Sequence, residues 1–116
     1  MKTNALIGIV GPCAAGKTTL ASRLKPLGYR VKVIAQEHSY VPDLWKRFTH
    51  PDLLIYLDVS FPVSMQRRWM NWGPEEFEEQ ISRLADSREH ANLYIDTDSL
   101  SIEEVLNRTL EFLQRE

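Results

Sequence analysis

Ala5-Leu6-Ile7-Gly8-Ile9-Val10-Gly11-Pro12-Cys13-Ala14-Ala15-Gly16-Lys17-Thr18-Thr19-Leu20 is the stretch that decides the fold. Residues 5–10 form a nearly continuous apolar run that stops at a glycine and a proline. A strand covered on both faces reads this way, as strands of a parallel sheet do. From Lys17 the period changes. Leu20, Leu24 and Leu27 recur at helical spacing, and Pro26 and Gly28 close the segment.

The same alternation continues downstream. Tyr29-Arg30-Val31-Lys32-Val33 alternates apolar and polar residues, which predicts an edge strand with one wet face. Pro42, Leu44, Trp45 and Phe48 predict a short helix. Leu53-Leu54-Ile55-Tyr56-Leu57-Asp58-Val59 is apolar up to Asp58, the pattern of a second central strand. Pro62 opens a helix expected to run to about Asn71, and Gly73-Pro74 breaks it. Glu75 and Glu76 then suit the positive end of another helix, whose apolar face is Phe77, Ile81 and Leu84. Leu93-Tyr94-Ile95 reads as a short strand. Ser101-Ile102-Glu103-Glu104 is a capping box opening a last helix, with Ile102, Val105, Leu106, Leu110 and Leu113 expected to face inward. Strand and helix alternate four times. The expected fold is a three-layer α/β/α domain over residues 1–116, around a reduced, mainly parallel sheet of about four strands. Its crossovers should be right-handed, and ligands should sit beyond the carboxyl ends of the strands.

Composition narrows the function. The 116 residues are 43% apolar and 26% charged, ordinary for one globular domain with little room for a second. A formal net charge of −2 disfavours nucleic acid as a partner. Cys13 is the sole cysteine, so no internal disulfide or thiolate cluster is expected, which is compatible with a reducing compartment. The run at residues 5–10 is too short for a signal core or a membrane span. The expected setting is cytosolic, away from membranes.

Gly11-x-x-x-x-Gly16-Lys17-Thr18 matches the Walker A pattern, in its required place between a buried strand and a helix. Glycines let the chain wrap so that successive N–H groups point at phosphate oxygens, and the helix aims its positive end at the same charge. Gly11, Pro12, Cys13, Ala14, Ala15, Gly16, Lys17, Thr18 and Thr19 are therefore the expected nucleotide-binding set. Lys17 should reach the β- and γ-phosphates, and the Thr18 hydroxyl should ligate Mg²⁺. Cys13 inside the loop has two readings, a redox-sensitive thiol or a small residue at a variable position; the second is preferred.

These residues resemble a family. The loop looks like that of the P-loop kinases acting on nucleotides, nucleosides and other small metabolites. Pro51-Asp52-Leu53-Leu54-Ile55-Tyr56-Leu57-Asp58-Val59 resembles the strand before the lid in thymidylate kinases and deoxynucleoside kinases, and Arg67 follows at a similar distance. Tyr94-Ile95-Asp96-Thr97-Asp98, followed by Leu100 to Val105, resembles the last strand and helix of many small kinases. The resemblance implies a P-loop NTPase fold that uses ATP and Mg²⁺. It also implies a lid whose arginines close over the triphosphate: Arg67 first, with Arg83, Arg68 and Arg88 as further candidates. Such kinases are longer. The difference falls between Ala35 and Pro51, where the family has acceptor-binding helices and a further strand with an acid near the metal. The metal's carboxylate must then come from elsewhere, Glu37 by first choice and Asp58 by second. The plainer reading makes both strand-end carboxylates that cap a helix or face water. For the arginines it is a solvated face paired with Glu75, Glu76, Glu78 and Glu79.

Trp45, Trp69 and Trp72 suit a base-stacking role less well than a core or interface role. His38, beside Glu37, reads as a strand-end hydrogen-bonding residue before a catalytic base. The leading function is an ATP-dependent phosphotransferase with Lys17, Glu37 and Arg67 as its catalytic residues and a small-molecule acceptor. The alternative is a nucleotide-binding or sensing module, or an ATPase with little or no kinase turnover. A small GTPase is disfavoured, because no Asn-Lys-x-Asp and no Asp-x-x-Gly motif is found. A reduced sheet would leave apolar surface near Trp69 and Trp72, and a homodimer would cover it.

Overall fold

The structure is a computed structural model that describes residues 4–69 and 73–116. The apolar run forms β1 (Leu6–Val10), buried because it lies between two other strands. All pairings are parallel, and the sheet order is β2 (Arg30–Val33), β1, β3 (Leu53–Asp58), β4 (Leu93–Asp96). Ile9 stands opposite Val33 on one side and Ile55 on the other, and Asp58 stands opposite Asp96. The two continuously apolar strands are central, and alternating β2 is an edge, as their patterns require. From β1 the chain steps to one side for β2, then crosses back to the other side for β3. The carboxyl ends of β1 and β3 thus flank the switch point where open α/β sheets bind ligands.

Among the described residues six α-helices follow the strands: α1 (Lys17–Leu24), α2 (Leu44–Arg47), α3 (Phe61–Arg67), α4 (Pro74–Arg83), α5 (Ala85–His90) and α6 (Ile102–Arg115). On one face Ile7, Ile9, Ile55, Leu57 and Ile95 pack with Leu20 and Leu24 of α1 and Val105 and Leu113 of α6. On the other face Val10, Leu54 and Tyr56 pack with Trp45 of α2 and with Leu84 at the α4–α5 junction. Each such side chain contributes about 1.5–3 kcal/mol when fully buried. α6 starts in a reciprocal cap: Glu104 N–H donates to Ser101 Oγ at 3.1 Å, and Ser101 N–H donates to the Glu104 carboxylate at 3.0 Å. The Ser101 backbone hydrogen bond is the main reason the Glu104 carboxyl titrates below its ordinary range.

Several expectations need correction. α3 stops at Arg67, and Arg68 is already extended (φ −152°, ψ 115°). Asn71 and Trp72 lie outside the described residues. No breaker precedes Gly73 in the sequence; the helix ends where Arg67 is anchored by contacts from elsewhere in the fold. Leu27 is 56% exposed, because α1 tightens into a 3-10 turn at Lys25–Leu27 and the changed period swings it outward. Ile102 is 51% exposed at a cavity rim, and the fully buried Thr109 occupies the inward stripe with its hydroxyl on the Val105 carbonyl at 2.9 Å. Trp45 is a core residue whose indole N–H donates to Asp86 at 2.8 Å, whereas Trp69 is 77% exposed. Among the described residues no helix is long and apolar enough to cross a membrane.

Candidate functional site

The loop from Gly11 to Gly16 leaves β1 at the switch point and is pressed against β3. At Gly11 (φ 152°) an added Cβ would lie 2.0 Å from the Leu57 carbonyl oxygen, so only glycine fits. Gly16 (φ 99°) caps α1, and the space beside it is open. No side chain caps this helix end and no acid sits in its first turn, so its positive end is left for another group. Ala14 is also held at positive φ (69°), strain of the kind that clusters at ligand sites.

Lys17 is buried under this loop. Its ammonium donates to the Gly11 carbonyl at 2.5 Å, to the Pro12 carbonyl at 3.3 Å and to Glu37 Oε2 at 2.6 Å. Three donors thus meet three acceptors. Glu37 is brought here by a 3-10 turn, Gln36–His38, after β2. Its other oxygen, Oε1, is buried with no hydrogen-bond partner among the described residues. An orphaned buried carboxylate oxygen costs free energy and marks a place where a ligand or water belongs. His38 Nε2 lies 3.8 Å from Glu37 Oε2 and 3.8 Å from Cys13 Sγ.

Two cavities meet at the loop. One, of about 340 Å³, is lined by Lys17, Thr18, Glu37, His38 and Arg68. The other, of about 480 Å³, runs beside Gly16, Thr19, Arg67, Leu100 and Ile102, and its wall is largely apolar. Arg67 reaches the loop from the end of α3. It donates to the Ala14 carbonyl at 3.1 Å, to Thr97 Oγ1 at 2.9 Å and to the Thr97 carbonyl. Arg68 lines both cavities. Arg83 sits apart from Arg67. It donates to the Glu37 carbonyl at 3.3 Å, pairs with Glu79 at 3.5 Å and lies over the Tyr40 ring at 4.4 Å.

Asp58 lines neither cavity. Its carboxylate accepts the Tyr94 hydroxyl and its own neighbour's Val59 N–H at 2.9 Å. Tyr94 stacks on Tyr56 at 5.7 Å, and the Arg88 guanidinium covers Tyr94 at 5.0 Å. Burial foremost, then the hydrogen bond to Asp58, pushes the Tyr94 phenol up to about 12. Burial foremost, then the Asp58 charge, raises the Tyr56 phenol as well. Both folded values lie above the unfolded value of about 10, so this stability is complete below about pH 10 and is lost as pH rises through the folded values. Tyrosinate absorbance and circular dichroism on one alkaline titration should therefore change together. Tyr56→Phe should move the unfolding midpoint to higher pH; an unmoved midpoint would contradict the coupling.

Three site residues escape a reading by motif. Gln36 is buried: its side-chain oxygen accepts Trp45 N–H at 2.8 Å, and its amide donates to Val41 at 2.8 Å and to Arg83 at 3.1 Å. Gln80, 1% exposed, accepts the Cys13 N–H at 3.1 Å and donates to Cys13 Sγ at 3.3 Å. Thr97 is buried and donates to the Asp58 carbonyl at 2.8 Å. Gln80 carried one signal: it falls on the inward stripe of α4 with Phe77 and Leu84, where a polar side chain needs a partner. No protein-family model matches the chain, and no curated protein is similar enough to it to count as a relative.

Proposed function

We propose that the Gly11–Thr18 loop binds the polyphosphate of ATP with Mg²⁺, and that the chain is a phosphotransferase acting on a small-molecule acceptor. The observation that carries this reading is Lys17: a buried ammonium held by two loop carbonyls and one acid at an uncapped helix end. Such a charge is stored where a polyphosphate can draw it out. Thr18 and Glu37 line the same cavity and would hold the metal, and the orphaned Glu37 Oε1 fits that use. Mg²⁺ bound there would neutralise polyphosphate charge. The base would take the apolar-walled cavity, whose 480 Å³ is in the range of small-molecule pockets. Arg67, held on Ala14 and Thr97, would then stand between base and phosphates, where its fork could move to the ligand.

The test is incubation with labelled ATP, Mg²⁺ and pooled nucleosides, nucleotides and sugars. A phosphorylated product is expected, and Arg67→Ala should cut its formation by about 100-fold, the usual effect of removing one transition-state donor. One observation favours the alternative, a nucleotide-sensing module: between β2 and β3 only a 3-10 turn and the four-residue α2 are formed. ATP binding without transfer, and hydrolysis at background, would select that reading. No ATP binding would defeat both.

A further inference from the structure

We propose that Cys13, Glu37 and His38 bind one thiophilic divalent cation of the Zn²⁺ class at the mouth of the loop. This goes beyond the nucleotide reading and requires neither ATP nor Mg²⁺. The thiol sulfur, a carboxylate oxygen and an imidazole nitrogen all lie within 4.8 Å of one another, with His38 Nε2 at 3.8 Å from Cys13 Sγ and at 3.8 Å from Glu37 Oε2. Tetrahedral zinc with bonds of about 2.0–2.3 Å separates neighbouring ligand atoms by roughly 3.3–3.8 Å. The two distances to His38 already reach the edge of this range, and the Cys13–Glu37 separation, at most 4.8 Å, must close by about an ångström.

Two further observations point to a cation. The Gln80 amide is buried and fixed on Cys13 at both ends, accepting its N–H and donating to its sulfur. An N–H aimed at sulfur orients it, as outer-shell partners of metal ligands do. Glu37 Oε2 faces both His38 and Lys17, and Oε1 is buried without a partner among the described residues, so the carboxylate has capacity for a cation beside the lysine. Thiolate and imidazole select a zinc-class ion over Mg²⁺, which takes hard oxygen ligands. On binding, the Cys13 S–H bond breaks, its proton passes to buffer, and a sulfur–metal bond forms. Three protein ligands leave a fourth position open for water or a phosphate oxygen.

The test uses reduced, tag-free protein titrated with Co²⁺ and with Zn²⁺ in the absence of nucleotide. Expected are a saturable thiolate-to-cobalt charge-transfer band at one Co²⁺ per chain, its loss on adding Zn²⁺, and proton release seen as a buffer-dependent binding enthalpy. Cys13→Ser should abolish the band. His38→Ala removes an exposed side chain, so the fold is not at stake. It should weaken Zn²⁺ binding more than about tenfold, since even outer-shell partners are worth about 10–100-fold. No charge-transfer band at saturating Co²⁺, or unchanged Zn²⁺ affinity in His38→Ala, would overturn the site. Failure of ATP to bind would leave it standing.

Discussion

Lys17→Met is expected to lower the unfolding free energy by about 3–5 kcal/mol, because it leaves the Glu37 carboxylate buried and unpaired. The pair is 2.6 Å apart, with both side chains below a tenth exposed. For a domain of this size the loss corresponds to a fall of roughly 12 °C or more in Tm. Lys17→Met combined with Glu37→Gln removes both charges and should recover most of the stability, since a buried ion pair contributes little beyond a neutral pair of similar shape. Thermal unfolding of the parent, both single variants and the double variant measures the coupling. A single variant as stable as the parent would show that the pair is not buried as described. The double variant also reads the ligand effect in a folded chain, with the ammonium and the proposed metal-holding carboxylate removed together. On the polyphosphate reading, two charge-assisted hydrogen bonds to phosphate, at about 1.5–3 kcal/mol each, would be lost with the ammonium, so ATP should bind at least about 100-fold more weakly. Undiminished ATP binding by that variant would end the polyphosphate reading of the loop.

Gly11→Ala should cost more than about 3 kcal/mol, while Gly16→Ala costs about 1–2 kcal/mol, the strain of a left-handed residue alone. Both glycines have positive φ (152° and 99°), but their surroundings differ. A Cβ on Gly11 meets the Leu57 carbonyl oxygen at 2.0 Å, whereas one on Gly16 meets nothing within 4 Å. Leu57 belongs to β3, a central strand paired on both sides, so its carbonyl cannot retreat without disturbing the sheet. Chemical denaturation of the two variants reads the difference. Equal losses would mean that the contact with β3 does not govern the loop. The same contact makes loop and sheet one mechanical unit, which under the proposed function would keep the loop backbone in place for an anion.

Much of the architecture was legible because it depends on local chemistry. The runs at residues 5–10 and 53–58 have no polar residue to offer water before their ends, so they become the two central strands. β2 alternates and becomes an edge. Ser101 and Glu104 sit at capping distance in the chain and cap each other in space. Where the period slipped, the reading failed: Leu27 turns outward in a 3-10 turn, and Ile102 faces a cavity. Asp58 and Glu37 look alike in sequence, each an acid near a strand end. Only the fold distinguishes them, turning Asp58 to Tyr94 and Glu37 to Lys17.

By itself the sequence determined a parallel α/β sheet of four strands and the place of the glycine loop, because hydrophobic period and glycine geometry act over a few residues. The tertiary structure alone decided which distant groups meet at that loop: Glu37 on Lys17, Gln80 on Cys13, Arg67 on Ala14 and Thr97. Those partners come from the 3-10 turn after β2, from α4, from α3 and from the residue after β4, and strand order with crossover direction sets their distances. No local preference encodes a contact between residues so far apart in the chain; it exists only after the sheet has formed.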